Sequence, residues 1–176
     1  MDFLNTDYLK NGTDRQQRAF NSLAQHNVMT LLQAFQPILA GTIPINIDIE
    51  SSDLDIICCW ENQAEFVNHL LLHFGSKQNF LLTQTVINLH HTILANFELD
   101  NFHIEIFGQN IPTIQQSAYR HMLIEYEILQ LNGETFRQQI IALKKQCIKT
   151  EPAFAMLLGL SGNPYEVLLH YNPCFP

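Results

Sequence analysis

Apolar side chains recur at helical spacing over residues 14–36, where Phe20, Leu23, Ala24, Val28, Leu31, Leu32 and Phe35 share one side of a 3.6-residue period. The spacing predicts one helix, opened by a Thr13/Gln16 capping box and stopped by Pro37. The period then changes. Ile45, Ile47 and Ile49 alternate with Asn46, Asp48 and Glu50, the pattern of a half-buried strand or extended arm. A Ser51-Ser52 turn leads into a second predicted strand over residues 53–60, and residues 64–74 suit a short helix closed by Gly75. The β signal returns over residues 80–87, 91–98 and 102–107, the last two joined by a tight turn at Leu99-Asp100-Asn101.

From Pro112 onward the pattern is helical. Thr113 with Gln116 predicts a cap for a helix running to about Leu131, Asn132-Gly133 breaks it, and a second helix covers residues 134–147. A third follows Pro152 and ends near Gly159, and an Asn163-Pro164 turn precedes residues 165–170. The order of helix, mixed sheet and helical tail predicts an α+β (mixed α/β) fold. Residues 1–110 would form the core, and residues 111–176 a helical extension packed on it as one compact unit.

Composition narrows the class. Of 176 residues, 47% are apolar and only 15% charged, which favours a folded chain over a disordered one. The longest apolar runs, Leu70-Leu71-Leu72 and Phe80-Leu81-Leu82, fall far short of the roughly 18 residues of a membrane span. The N-terminal residues lack the basic and apolar regions of a secretory signal, so the expectation is a cytoplasmic protein without membrane association. Cys58, Cys59, Cys147 and Cys174 show no CxxC spacing and read as reduced thiols. A net charge of −8 argues against non-specific binding to a nucleic-acid backbone, but leaves open a small nucleotide whose charge is cancelled by metal ions.

Within this frame the run from Gly41 to Ile57 carries the chemistry. Side chains at i and i+2 of a strand share a face, so Asp53 and Asp55 lie close together and require a cation, a shared proton or water. Glu105, in the alternating run Phe102-His103-Ile104-Glu105-Ile106-Phe107, is a third candidate carboxylate. The alternative reading of the Asp pair is a charged strand edge guarding against aggregation, and of Glu105 a partly exposed face shared with His103 and Phe107. His90, His91 and His103 lack zinc spacing and read as surface or hydrogen-bonded histidines, while Arg120 and His121 lie on a helix from which they could reach a ligand. Lys144, Lys145 and Lys149 are a basic cluster that reads first as an exposed helix face. Lys149 alone has a further feature: it precedes a helix N-terminus, which favours anions. Apolar residues of the tail such as Phe154, Met156 and Leu157 would complete a core or a homodimer interface.

The order Gly41-Thr42, Asp53-Leu54-Asp55 and then Glu105 resembles the polymerase-beta-type nucleotidyltransferase superfamily. That superfamily carries a small Gly-Gly or Gly-Ser pair, an Asp-hydrophobic-Asp strand and a later carboxylate on a neighbouring strand. Thr42 stands where Gly or Ser is commoner, Glu105 where Asp is usual, and Pro44 and Asn46 occupy the stretch that often holds an Arg. The runs Ile104-Glu105-Ile106-Phe107-Gly108-Gln109, Gln116-Ser117-Ala118-Tyr119-Arg120-His121 and Lys149-Thr150-Glu151-Pro152-Ala153-Phe154-Ala155 are similar to one uncharacterised bacterial family of unknown function within that fold. The resemblance implies a nucleoside triphosphate as ligand and a hydroxyl acceptor. It also implies two Mg²⁺ ions, or Mn²⁺, on Asp53, Asp55 and Glu105, with Glu105 able to take the acceptor proton. Gly41, Thr42, Ser52 and Lys149 would contact phosphate.

Overall fold

The computed structural model describes residues 1–171. A short 3₁₀ turn, Asp7–Asn11, leads into helix α1, Asp14–Gln25. Its predicted capping box is formed: the Thr13 hydroxyl accepts from the Gln16 N–H, and the Gln16 side chain accepts from the Thr13 N–H. The single helix expected over residues 14–36 is divided. Asn27 takes a left-handed conformation at φ 53°, so a one-turn helix α2, Val28–Leu31, and a 3₁₀ turn, Gln33–Phe35, follow α1 at new angles. Asn tolerates this conformation better than other non-glycine residues. The break lets Leu23, Val28, Leu32 and Phe35 all bury in one core.

Within the described residues, five strands form one sheet in the order β1-β2-β5-β4-β3. They are β1, Ile38–Ala40; β2, Leu54–Cys59; β3, Gln78–Ile87; β4, His90–Leu99; and β5, Phe102–Gln109. Only β2 and β5 run parallel; the other pairs are antiparallel. Helix α3, Gln63–Phe74, joins β2 to the β3–β4 hairpin, with Asn62 accepting from the N–H groups of Ala64 and Glu65 at its start. The predicted turn between β4 and β5 is present, with Asp100 and Asn101 both at positive φ, 47° and 66°. The short strand β1 had no signal of its own, because all three of its residues are buried and no alternation marks it.

The strand or arm expected over residues 45–49 is absent. The alternation holds only at Ile45 and Ile47, which are buried, while Ile49 is half-buried like Asn46 and Asp48; the chain turns through residues 42–46, and Asn46 sits at φ 58°. Buried carbonyls here find side-chain donors in place of a sheet partner. Gln16 Nε2 donates to Ile43 O at 2.8 Å and Pro44 O at 3.2 Å, and Lys144 Nζ donates to Ile47 O at 2.9 Å. Arg137 donates to Ile45 O and Asn46 O, and Arg15 to Glu50 O and Ser52 O.

One face of the sheet packs on α1–α3 through Leu54, Ile56, Phe66, Phe74, Phe97, Ile104 and Ile106. The other is covered by α4, Ser117–Lys145, α5, Thr150–Leu158, and α6, Pro164–Leu169, around Ile57, Met122, Ile128, Leu129, Ile140 and Phe154. The helix expected from Thr113 starts later: Thr113–Gln115 is a 3₁₀ turn and Gln116 is extended. The Gln116 amide is drawn inward to donate to Cys58 O and Ile111 O, each at 2.9 Å. The break at Asn132-Gly133 is present, with Gly133 at φ 73° and ψ −166° inside α4. Pro152 falls in the first turn of α5, where its missing N–H is harmless. Cys58 is buried, Cys59 half-buried and Cys147 exposed, all as free thiols, while Cys174 lies outside the described residues. No described helix is long and apolar enough to cross a membrane.

Phe97 is fully buried and stacks on Phe74 with ring centroids 5.2 Å apart, bridging β4 and α3. Phe97→Ala should lower unfolding free energy by about 3–5 kcal/mol in a denaturant titration, since the cavity cannot fully close.

Candidate active site

The two faces of β2 separate by the strand period. Leu54, Ile56 and Cys58 enter the core with α1–α3, and Asp53, Asp55 and Ile57 point to the side covered by the C-terminal helices. Parallel pairing of β2 with β5 sets Asp55 directly beside Glu105. Antiparallel pairing of β1 with β2 sets Ala40 opposite Asp55, so the chain leaves β1 just above that carboxylate. There Gly41 takes φ +81°, and a Cβ built on it would lie 2.2 Å from Asp55 Oδ2. Only glycine admits so close an approach in this conformation. The Thr42 hydroxyl donates to Ser52 Oγ at 3.2 Å, and the Ile49 N–H donates to the same oxygen at 2.9 Å, which ties the two ends of the β1–β2 loop together.

Gly41, Thr42, Asp55 and Glu105 line one wall of a cavity of about 330 Å³. Asp53 lies outside this lining, at an open rim, its side chain 43% exposed and its Oδ1 3.6 Å from His103 Nδ1. Ser52 serves the loop from behind. Lys149 is exposed, stands at the N-cap of α5 and is not a lining residue, although the next two residues, Thr150 and Glu151, are.

The facing wall belongs to the helices: Ser117, His121, Met122 and Glu125 from α4, and Glu151 from α5. His121 Nε2 lies 2.8 Å from Tyr165 O, to which it donates, and its Nδ1 is 3.7 Å from Glu151 Oε1. Glu125 and Lys144 are buried, at 4% and 8% exposure. Lys144 therefore departs from the exposed basic face expected of it. Both positions carried a signal in the sequence. Glu125 sits three residues from Met122 and three from Ile128 on the apolar stripe of α4, and Lys144 sits four residues after Ile140. A charged residue inside such a stripe is buried with the rest of it.

The electrostatics follow from this crowding. Burial, then the charges of Glu105 and Asp53, push the Asp55 carboxyl up to about 7, against a smaller opposing pull from Lys144. Glu105 is raised by burial and by Asp53, with His103 opposing. Burial and Glu151 push Glu125 up to about 8, against Lys144, and burial brings Lys144 down to about 8 despite Asp48, Glu125, Asp55 and Glu151. Among the described residues, no Lys or Arg lines the cavity. Nor do any three His, Cys, Asp or Glu side chains stand close enough together to hold a metal ion as they are placed. The chemistry of the wall nevertheless fits a hard cation, since Asp55 and Glu105 are adjacent oxygen donors, each raised first by burial and then by neighbouring negative charge that a cation would offset.

With this geometry the fold can be compared with known proteins. Cid1, described as having RNA terminal uridylyl transferase activity, superposes with a TM-score of 0.55 at 10% identity, over 79% of this chain and 45% of its own. The structure of the GLD-2/RNP-8 complex matches with a TM-score of 0.53 at 11% identity, over 98% of this chain and 66% of the other. The polymerase core of TRAMP, an RNA surveillance complex, gives 0.50 at 13% identity, over 96% and 57%. The fold is thus nucleotidyltransferase-like, and the chain spans 45% to 66% of the length of these structures. The chain itself belongs to the DUF4269 family, a domain of unknown function, whose model matches residues 21–171. No curated protein sequence matches it.

Gly41→Ala should push the Asp55 carboxylate away from the loop and strain the backbone, lowering stability by about 1–3 kcal/mol and altering any ligand affinity at Asp55. Chemical denaturation and ligand titration of the variant would check this. A second expectation concerns pH. Between the ordinary carboxylate range and about 8 the folded protein keeps a proton on Glu125 that the unfolded chain has released, so stability falls as pH rises through that window. Asp55 acts in the same sense up to about 7. Glu125→Gln should therefore stabilise the protein more at pH 8 than at pH 5, read from denaturation midpoints at the two pH values.

Proposed function

We propose that this chain is a Mg²⁺-dependent nucleotidyltransferase, with Mn²⁺ as a possible substitute, that moves a nucleoside monophosphate from a nucleoside triphosphate to a hydroxyl acceptor. The observation that carries the reading is the approach of the Gly41 backbone to Asp55, with Glu105 beside it, at the wall of a cavity in a nucleotidyltransferase-like fold. Asp53, Asp55 and Glu105 would hold two metal ions, which when bound neutralise phosphate charge and polarise the reacting phosphoryl group. Gly41 and Thr42 line the cavity and would offer backbone N–H groups to phosphate oxygens, joined by the Thr42 hydroxyl once it turns from Ser52. Ser52 fixes the loop that presents them. Lys149, at the N-cap of α5, would add a point charge to the outer phosphates.

In the reaction, the acceptor oxygen forms a bond to the α-phosphorus, the bond from that phosphorus to the bridging oxygen breaks, and pyrophosphate leaves. Glu105 receives the acceptor proton. Burial and the neighbouring Asp53 raise its carboxyl, which makes it a better proton acceptor once it is ionised. The fold likeness supports the reaction class, and the nucleoside triphosphate and hydroxyl acceptor are what the sequence resemblance implies.

Labelled nucleoside triphosphates with Mg²⁺ should give transfer or self-labelling in the wild type. Asp53→Asn and Asp55→Asn should reduce it to background, and Glu105→Gln by about 10²–10⁴-fold, the usual contribution of a positioned base. Transfer surviving both Asp substitutions would overturn the assignment. A second reading, a catalytically weak or inactive module that binds a nucleotide or a partner protein, is favoured by the lack of a tight three-ligand group among the described residues and of a lining cation. Calorimetric nucleotide binding with no Mg²⁺-dependent product would select it.

A further inference from the structure

Glu125 plays no part in that reaction, yet its position is costly. Its side chain is 96% buried by contact with the protein, since only 4% remains exposed, and that remainder opens into the cavity. Among the described residues its carboxyl accepts no hydrogen bond and forms no ion pair. The neighbouring polar groups are engaged elsewhere: Lys144 Nζ donates to Ile47 O, and His121 lies between Tyr165 O and Glu151. A buried carboxyl without a partner destabilises a fold unless something outside the chain completes it. Glu151 lies beside it on α5, and Asp55 and Glu105 face it from the sheet. All four charged residues lining the cavity are acidic.

We propose that Glu125 and Glu151 form a subsite for a protonated amine carried by the hydroxyl acceptor. This rests on the transferase reading for the acceptor's hydroxyl, but the amine subsite itself rests on the helical wall. A cation fits this place better than a neutral hydrogen-bond donor, because an ammonium can fill the empty acceptor of Glu125 and stand beside the Glu151 carboxylate at the same time. Lys144 cannot do so from its bond to Ile47 O. The cavity, at about 330 Å³, lies at the small end of small-molecule pockets, which favours a compact aminated polyol over a macromolecular surface. Such an acceptor would reach across it, its ammonium on the helical wall and its hydroxyl toward Glu105 and Asp55. The protein's overall charge of −8 would also draw a cationic substrate in.

The test uses two probes that differ only in the charged group. D-Glucosamine and D-glucose are titrated by NMR into the full chain at neutral pH, without nucleotide or metal, and again into Glu125→Gln and Glu151→Gln. The glutamines keep the side-chain volume and remove charge, and thermal melting confirms that both variants are folded. Glucosamine should bind saturably at least about tenfold more tightly than glucose, and Glu125→Gln should lose at least about tenfold, the scale of one charge-assisted hydrogen bond. Glu151→Gln should lose less. Equal binding of the two sugars, no saturable glucosamine binding, or unchanged affinity in Glu125→Gln would each overturn the subsite. The two readings fail separately. Transfer to a neutral polyol, undiminished in Glu125→Gln, would keep the transferase and remove the amine subsite; Glu125-dependent amine binding in a protein that never transfers would do the reverse.

Discussion

The β1–β2 loop is buried without a strand to pair with, and much of the site depends on how its backbone is satisfied. Ile43, Ile45 and Ile47 enter the core, so the carbonyls around them cannot turn to water. Gln16, Arg15, Arg137 and Lys144 supply the donors, reaching in from α1 on one side and α4 on the other. The loop is thereby fixed from both layers of the molecule. Its ends, Gly41-Thr42 and Ser52, are drawn together by the Thr42–Ser52 hydrogen bond directly above the strand that carries Asp55. The catalytic-looking wall is thus a consequence of how an unpaired segment is anchored.

The same anchoring explains an electrostatic arrangement that would otherwise be hard to account for. Lys144 is buried because its apolar stem lies on the stripe of α4, and its ammonium is tied to the loop carbonyl of Ile47. It also moderates Asp55 and Glu125, and, behind Arg15, Asp48. One buried positive charge is shared among several acids, and none of them is fully compensated. Local conflict of this kind is a stability defect that folded proteins tolerate mainly at sites of function.

The legible part of this arrangement was the part governed by a fixed period. Because strand side chains alternate strictly, Asp53-Leu54-Asp55 had to place two carboxylates on one face, and the alternation around Glu105 marked a strand that the family resemblance set beside it. The Asp100-Asn101 turn and the Gly133 break followed from residue types that favour left-handed backbone. The failures share a different cause. Alternation at residues 45–49 reports the burial of Ile45 and Ile47, which a turn threaded over a core can produce as well as a strand. Over residues 14–36 the helical period hid the break at Asn27, since the three segments bury Leu23, Val28, Leu32 and Phe35, which one helix would also place on its apolar side. Charge makes Lys144 read as part of an exposed basic face, and Glu125 belongs to no motif, although both lie on the apolar stripe of α4 and are buried.

Charge balance connects the two walls of the cavity. A nucleoside triphosphate brings further negative charge to a space already lined by Asp55, Glu105, Glu125 and Glu151. Lys144 and an exposed Lys149 do not offset that sum. Divalent cations at the sheet wall would neutralise the phosphates and the carboxylates they touch, yet they would leave Glu125 and Glu151 on the opposite wall, beside the incoming acceptor. On the proposed reading, a neutral acceptor would leave the Glu125 carboxyl without a partner, whereas a cationic one would pair with it. Under the proposed reaction, metal ions on one wall and an amine on the other would be complementary parts of a single loaded state, and the helical wall would select the acceptor by the same electrostatics with which the sheet wall would handle the nucleotide.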